Sequence, residues 1–573
     1  MSPVISRHRL TALISRFDSI DGFSRLIDCS SLVVLGLAVG GAPKVAIAIA
    51  GSLCALALVF KTRKGIVGGL SGRGALGRHP VVRVCLLASA AVVVADEPAG
   101  LSTTGWAALG LLSFGVVLEP ALRRLIGVGG ASIANLPEIQ MREEPWFGHG
   151  MTTNLGMLGL VLAGVAALTD STFVPALVAA ALSILLLIVA AIDNVLLSLQ
   201  RQRANARLMS VLENYGPTFA LYWHAAGGTD YQIRMWVPYL ERLGKKFMVI
   251  VRTPTNFREA CALTSAPVLL RGGHEQLDDV VVPSLRSVFY VNNAVRNLHM
   301  VRFPQLKHIQ LNHGDSDKAP SFNPVMRMYD KNFVAGPAAI DRFAANGVDA
   351  PASLFEIVGR PQVEDVQIAT TSIASIERPK VLYAPTWFGF TADSRYSSLG
   401  VGLELVTALV RRGADVIFRP HPYARRTPQF RAAIDEIFAL LAAENARGAG
   451  HVFGEEAEQT LSIFDCFNRA DAMISDVSSV VADFLYSEKP MAAVAVLSSP
   501  VNFVDEFPLS RACYVIDAHH SKLKPKKLEA RLDELLKTDP LASTRRELKT
   551  YYLGDFDPEN YAQHFLDSAS RYV

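Results

Sequence analysis

The chain changes character near residue 195. Before that point apolar residues come in long, nearly charge-free stretches; after it they come in short runs of four to six, separated by polar, Gly- and Pro-containing turns. The first part holds six apolar stretches, at about 26–41, 45–60, 80–95, 105–120, 153–169 and 173–192. Their length and period predict helices, and their serial occurrence favours membrane helices over a buried soluble bundle. Several are shorter than the roughly 20 residues that cross a bilayer, and the first two are expected to pair as a tight hairpin around Gly40-Gly41-Ala42-Pro43.

The second part alternates between the two periods of regular structure. Strands are predicted at 219–224, 246–252, 267–270, 287–291, 308–312, 332–334 and 354–358, with helices between several of them, among them one over 231–243. The pattern restarts with strands at 381–384, 415–418, 473–474, 491–496 and 513–516, with helices at 403–412, 427–446, after Ser479, and at 522–537. Alternation of this kind argues for parallel sheets covered on both faces. The predicted fold is an N-terminal all-α transmembrane region of about six helices followed by two doubly wound, Rossmann-like α/β domains. The expected boundaries are 1–195 for the multi-span region, 196–215 for a linker helix, 216–362 for the first Rossmann-like domain, 363–379 for a linker, 380–540 for the second domain and 541–573 for a C-terminal segment. In doubly wound sheets ligands bind beyond the carboxyl ends of the strands.

Charge supplies an orientation. Arg7, Arg9, Arg16 and Arg25 precede the first stretch; Lys61, Arg63, Lys64, Arg73 and Arg78 separate the second and third; Arg123, Arg124 and Arg142 separate the fourth and fifth; Arg201, Arg203 and Arg207 follow the sixth. The intervening loops carry a single basic residue, Lys44. The positive-inside rule then predicts a multi-pass protein with the N-terminus and the α/β part in the cytoplasm. Arg83, near the edge of the third stretch, is expected to snorkel; Asp193 closes the sixth, and no charge deep in a span marks an ion path. The first 25 residues hold charges and no cleavable apolar core, so no removable signal peptide is expected.

Composition agrees with a membrane part. Mean hydropathy is +0.26 and only 19% of the 573 residues are charged. A net charge of +3 gives no case for nucleic acid. The six cysteines are scattered, without the spacing of a zinc site or a disulfide framework.

The candidate chemistry sits at predicted strand ends. In Asp471-Ala-Met-Ile-Ser-Asp-Val-Ser-Ser-Val-Val-Ala-Asp-Phe-Leu485 a strand runs through a polar turn into a helix. Ser478 and Ser479 stand where a helix leaves N–H groups unpaired, an anion-binding arrangement, although Asp476 or Ser478 could simply cap the helix. His313, in Leu311-Asn-His-Gly-Asp-Ser-Asp-Lys318, suits a general base, with Lys318 placed to offset phosphate charge and a locally bonded strand-end His as the competing role. Asp315 and Asp317 could hold Mg²⁺ or form a turn; the turn is favoured. His421, between Pro420 and Pro422, is held rigidly and can donate to a phosphate oxygen, and Arg419 could add charge or point into solvent. Thr386, in Pro385-Thr386-Trp387, ends another strand. Gly227 and Gly228, in the loop after the 219–224 strand, are expected on the acceptor side.

Four stretches in order, Leu311-Asn-His-Gly314 with Lys318, Tyr383-Ala-Pro-Thr-Trp387, Phe418-Arg-Pro-His-Pro422 and Ile474–Phe484, resemble the CDP-glycerol glycerophosphotransferase family, the teichoic-acid polymerases and primases. The resemblance spans about 218–520. It implies a glycosyltransferase B-type (GT-B) fold without an obligatory metal and a CDP-alcohol donor held mainly by the second domain. His313 would deprotonate the acceptor hydroxyl. His421, Ser478 and Ser479 would hold the diphosphate, with Asp476 supporting the turn and Lys318, Arg419 and Thr386 on the donor side. Departures are Phe388 where the family commonly has Arg, Gly359-Arg360-Pro361-Gln362 in place of Gly-x-Pro-Arg, and Asp557-Pro-Glu-Asn-Tyr-Ala562 in place of an Asp-Gly segment.

The resulting expectation is a bacterial plasma-membrane transferase. It would move glycerol phosphate, or a related polyol phosphate, from a CDP-linked donor to a hydroxyl of a lipid-linked glycan or polyol-phosphate acceptor, releasing CMP. No cofactor is required; Mg²⁺ is the possible exception. Two alternatives are a GT-B glycosyltransferase using a nucleotide sugar, and a non-catalytic nucleotide-binding membrane assembly protein.

Overall fold

A computed structural model describes residues 21–67, 79–96, 102–127, 131–142, 146, 149–389, 395–519 and 522–573. The chain divides into two compact units, one of residues up to 132 together with 139–207, the other of 133–138 together with 208–573.

In the first unit each apolar stretch coincides, to within two residues at its ends, with part of a helix: Asp21–Val39, Lys44–Val67, Pro80–Ala95, Thr103–Gly127, His149–Thr169 and Val174–Tyr215. Among the described residues, three of these helices, not about six, are long and apolar enough to cross a membrane: those containing Lys44–Lys61, Thr152–Thr169 and Val174–Tyr215. The others fall short for physical reasons. Pro80–Ala95 has 16 residues, about 24 Å of helix against the roughly 30 Å of a hydrocarbon core. Asp21–Val39 opens on Asp21, Arg25 and Asp28, and Thr103–Gly127 is interrupted at Glu119. The expected separate linker helix over 196–215 is the continuation of the 42-residue helix Val174–Tyr215, which ends at Gly216 with φ +69°. Arg7, Arg9, Arg16, Arg73 and Arg78 of the orientation argument lie outside the described residues.

Arg83 does not snorkel. It is buried with Glu119, and its Nη1 donates to Glu119 Oε2 at 2.6 Å. The Thr153 hydroxyl donates to the other carboxylate oxygen at 2.5 Å. The expectation that no charge sits inside the helical region is corrected accordingly: a buried pair is tolerated where each charge finds a partner. Asp193 likewise accepts from Arg142 at 2.7 Å and from the Trp146 N–H at 2.8 Å.

The second unit holds two sheets. The first has eight strands: β1 Ser132–Ala134, β2 Phe219–Trp223, β3 Phe247–Val251, β4 Val268–Leu270, β5 Ser287–Tyr290, β6 Lys307–Gln310, β7 Lys331–Val334 and β8 Phe355–Ile357. Their order is β1-β4-β3-β2-β5-β6-β7-β8, and β2 to β8 pair in parallel. The second has β9 Lys380–Ala384, β10 Asp415–Phe418, β11 Ala472–Ser475, β12 Met491–Ala495 and β13 Tyr514–Asp517, all parallel in the order β10-β9-β11-β12-β13. The near-continuous Val, Ile, Leu and Phe runs in these strands suit parallel sheets buried on both faces. The chain reverses its direction of sheet growth between β2 and β5, and again between β9 and β11. Those are the switch points where a doubly wound sheet opens a crevice.

Three details depart from the expected boundaries. Residues 132–134, assigned above to the membrane region, form an edge strand of the first sheet. The helix expected over 231–243 is two short helices, Tyr231–Arg234 and Val237–Arg242, because Pro238 has no N–H to continue the ladder. The C-terminal segment is no separate unit: Ala562, Phe565, Leu566, Ala569 and Val573 complete the core of the first domain.

Candidate active site

The carboxyl ends of the two sheets supply the candidate residues. His313 follows β6 through Asn312, whose φ is +56°. That left-handed turn is open to Asn, and it is held by the Trp236 indole N–H donating to the Asn312 carbonyl at 2.6 Å. His313 Nδ1 lies 2.8 Å from the Val291 carbonyl. Nδ1 must therefore carry the proton, which leaves Nε2 with a free lone pair. Burial lowers the His313 pKa; the Val291 carbonyl opposes this and Arg360 adds to it.

His421 shows the opposite tautomer. Its Nδ1 accepts from the Tyr423 N–H at 3.1 Å, so Nε2 bears the proton and can donate. Burial, with the neighbouring charges of Lys318, His313 and Arg426, pushes its pKa down to about 4. At neutral pH it is an uncharged donor. Tyr231 stands between the two histidines, its ring 6.0 Å from that of His313 and 6.4 Å from that of His421, edge-on to both. Trp387 stacks on His421 at 6.1 Å.

The Ser475–Ser479 turn meets Gly314, next to His313, across the two domains. A Cβ on Gly314 would lie 2.6 Å from Ser479 Oγ; only glycine permits that approach. Ser478 is the N-cap of helix Ser479–Leu485 and accepts from the Val480 N–H at 3.4 Å. Asp476 is fully buried. Its Oδ2 accepts from the N–H groups of Thr386 at 2.7 Å and Ser398 at 3.1 Å, tying the ends of β9 and β11 together. Its Oδ1 has no hydrogen-bond partner. Burial raises Asp476 to about 6, against the hydrogen bonds and Lys318. Burial lowers Lys318 to about 8, against the attraction of Asp476. The Lys318 ammonium also sits 5.2 Å from the Tyr396 ring.

The remaining candidates are placed differently. Arg419 neither faces the site nor points into solvent: its guanidinium donates to the Ala457 carbonyl and, at 2.7 Å, to that of Leu461. Asp315 and Asp317 both pair with the buried Arg342, at 2.5 and 3.0 Å. Asp317 also accepts from the Leu509 N–H at 2.9 Å, so the two carboxylates fasten their loop to neighbouring elements. Gly227 and Gly228 form the loop after β2, with φ +79° at Gly228. The Gly227 carbonyl accepts from Arg426 of the second domain at 3.4 Å.

Two residues escaped the sequence reading as site residues. Tyr231 carries no signal beyond its place after a glycine-rich loop. Arg360, noted only as a departure from a motif, is buried and pairs with Asp483 of helix Ser479–Leu485 through its Nε at 2.9 Å. Its Nη2 also reaches the His313 carbonyl at 3.4 Å. Arg395 stacks on Phe388 at 4.5 Å.

The carboxyl ends of the two sheets meet with His313 and His421 at the seam, in a two-domain α/β arrangement. Residues 360–496 match the family model of CDP-Glycerol:Poly(glycerophosphate) glycerophosphotransferase, and in that segment the chain is CDP-glycerol glycerophosphotransferase-like. No curated protein matches in sequence. Among solved structures the chain is similar to an S. aureus MnaA–UDP co-structure, with TM-score 0.43 and 11% identity over 62% of this chain and 96% of that one. It is also similar to the wall teichoic acid polymerase TagF, with TM-score 0.39 and 13% identity over 66% and 95%. A UDP-N-acetylglucosamine 2-epimerase gives TM-score 0.40 and 11% identity over 62% and 95%.

Proposed function

We propose that this protein transfers glycerol phosphate, or a related polyol phosphate, from a CDP-linked donor to an acceptor hydroxyl at a membrane, releasing CMP. The observation that carries the reading is the complementary pair of histidines: a free Nε2 lone pair on His313 and an Nε2–H on His421, on either side of Tyr231. In this reading His313 takes the acceptor proton as its oxygen attacks the phosphorus bearing glycerol. The phosphoanhydride bond breaks, and CMP leaves with the electron pair. His421, Lys318 and the Ser478–Ser479 turn stabilise charge on the diphosphate; phosphoryl transfer depends mainly on such positioning and electrostatics. Thr386 and Asp476 hold the turn in place. The acceptor is lipid-linked and the protein is anchored by its apolar helices, a reading supported by three helices of spanning length and composition.

The test is CMP release by the full chain in detergent with native membrane lipids, offered CDP-glycerol, CDP-ribitol and nucleotide sugars, with and without EDTA. CMP release that survives EDTA is the expected result. A nucleoside diphosphate released from a sugar donor would overturn the reading.

The pH profile is a further prediction. Lys318 must keep its proton to hold a phosphate, and it loses it as pH rises through about 8. Asp476 must be ionised to accept its backbone donors fully and to attract Lys318, and it is protonated as pH falls through about 6. The kcat/KM profile should therefore be a bell with limbs near those values. Lys318→Arg should move the alkaline limb upward, and an unmoved limb would assign it to another group.

A further inference from the structure

The first sheet has a second cluster of chemistry, at its switch point and away from the paired histidines. His224 follows β2, Arg252 follows β3, and Arg296 and His299 follow β5. Arg252 is only 2% exposed. One of its guanidinium nitrogens, Nη2, donates to the Gly272 carbonyl at 3.0 Å and lies 3.2 Å from His299 Nδ1; Nε and Nη1 have no hydrogen-bond partner. His224 Nδ1 is also unpartnered. Arg296 is half-buried and donates, at 3.4 Å, to the Arg252 carbonyl. Among the described residues, neither arginine has a carboxylate within ion-pair distance. The Tyr222 ring lies 6.0 Å from the Arg252 guanidinium, and the carboxylate that acts on Arg252, Glu275, is exposed and lies 3.3 Å from His274. Accumulated positive charge lowers the pKa of both His224 and His299, after burial itself.

A buried guanidinium with free donors and no counter-charge is expensive unless an anion completes it. Arg252 already donates to His299 Nδ1, which leaves the His299 proton on Nε2 as one more donor. We infer that His224, Arg252, Arg296 and His299 form a phosphate subsite in the first domain, which binds a phosphate of the acceptor behind its attacking hydroxyl. This rests on the transferase reading above.

Register supports the geometry. His224 ends β2 and His313 ends β6, with β5 between them. Two strand spacings place His224 roughly 10 Å along the sheet edge from the base. Asn292 links the two regions: its amide donates to the His224 carbonyl at 3.1 Å, and it directly follows Val291, whose carbonyl orients His313. An acceptor carrying a phosphate within a polyol unit of its free hydroxyl would span both. That phosphate could belong to a polyol phosphate chain or to a lipid headgroup. Val295 and Leu298, 81% and 54% exposed, lie on the same short segment as Arg296 and His299.

The test is equilibrium binding to the full chain in neutral detergent by titration calorimetry, with di(glycerol phosphate), glycerol, inorganic phosphate, and micelles containing phosphatidylglycerol or phosphatidylcholine. Di(glycerol phosphate) should bind and glycerol should not. Arg296→Gln with His299→Gln should weaken that binding at least 10-fold while leaving the affinity for CDP-glycerol unchanged. These two positions are half-buried, so the test does not depend on an Arg252 variant that fails to fold. Competition by phosphatidylglycerol and not phosphatidylcholine assigns the phosphate to a lipid headgroup; competition by inorganic phosphate alone assigns it to a free polyol phosphate. Absence of di(glycerol phosphate) binding, or equal binding by the variant, overturns the subsite. Phosphate binding without CMP release would refute the transferase reading and leave the subsite standing; CMP release without phosphate binding would do the reverse.

Discussion

His313→Ala is expected to lower CMP release by about 10²–10⁴-fold, the contribution of a positioned general base, while CDP-glycerol still binds. The separation follows from geometry. His313 belongs to the first domain and reads its own sheet through Val291. The candidate donor-side groups, Asp476, Thr386, Ser478 and Ser479, belong to the second domain and are organised by the ends of β9 and β11. Removing the imidazole leaves those bonds intact. His421→Ala should differ, weakening both donor affinity and turnover, because an Nε2–H donor acts on the donor in its ground state as well as in the transition state. Unchanged turnover in both variants would remove the proposed mechanism.

The second large effect is structural. Asp483→Ala should destabilise the α/β unit by about 3–5 kcal/mol, because it strands Arg360 as an unpaired charge among buried groups. Arg360 is 5% exposed and Asp483 6%. The Arg360 backbone N–H also donates to the Tyr561 hydroxyl at 3.1 Å, so the pair joins the first domain, the second domain and the C-terminal segment. Thermal unfolding followed by tryptophan fluorescence reads the loss. Arg360→Met combined with Asp483→Leu should recover much of the stability, since replacing both charges removes the burial penalty. It should not recover activity, because the Arg360 contact with the His313 carbonyl is gone. A melting curve for Asp483→Ala that matches the unaltered protein would show that the pair holds nothing together.

The division of labour between sequence and structure is visible in particular elements. All twelve strands expected in the α/β part are present, within one or two residues, because each combines a short apolar run with a Gly, Pro or polar stop. Apolar patterning also located, among the described residues, every helix of the N-terminal unit. It overstated how many could span a membrane, since the count of apolar residues does not show where Glu119 will turn inward to meet Arg83. Charge was the least legible feature. Arg419 and Arg83 were expected to face phosphate or water, and both are paired inside the protein, with carbonyls in one case and a carboxylate in the other.

The sequence by itself determined the local content: a helical N-terminal part, two runs of parallel-sheet pattern, and His313, His421 and Ser478–Ser479 at strand ends. Those follow from periodicity and turn chemistry, which act over a few residues. Only the tertiary structure decided that Gly314 touches Ser479, that Tyr231 stands between two histidines of opposite tautomer, that Arg360 closes on Asp483, and that Arg252 is buried with donors to spare. Each depends on residues far apart in the chain, where strand order and domain packing set the distance and local sequence carries no record of it.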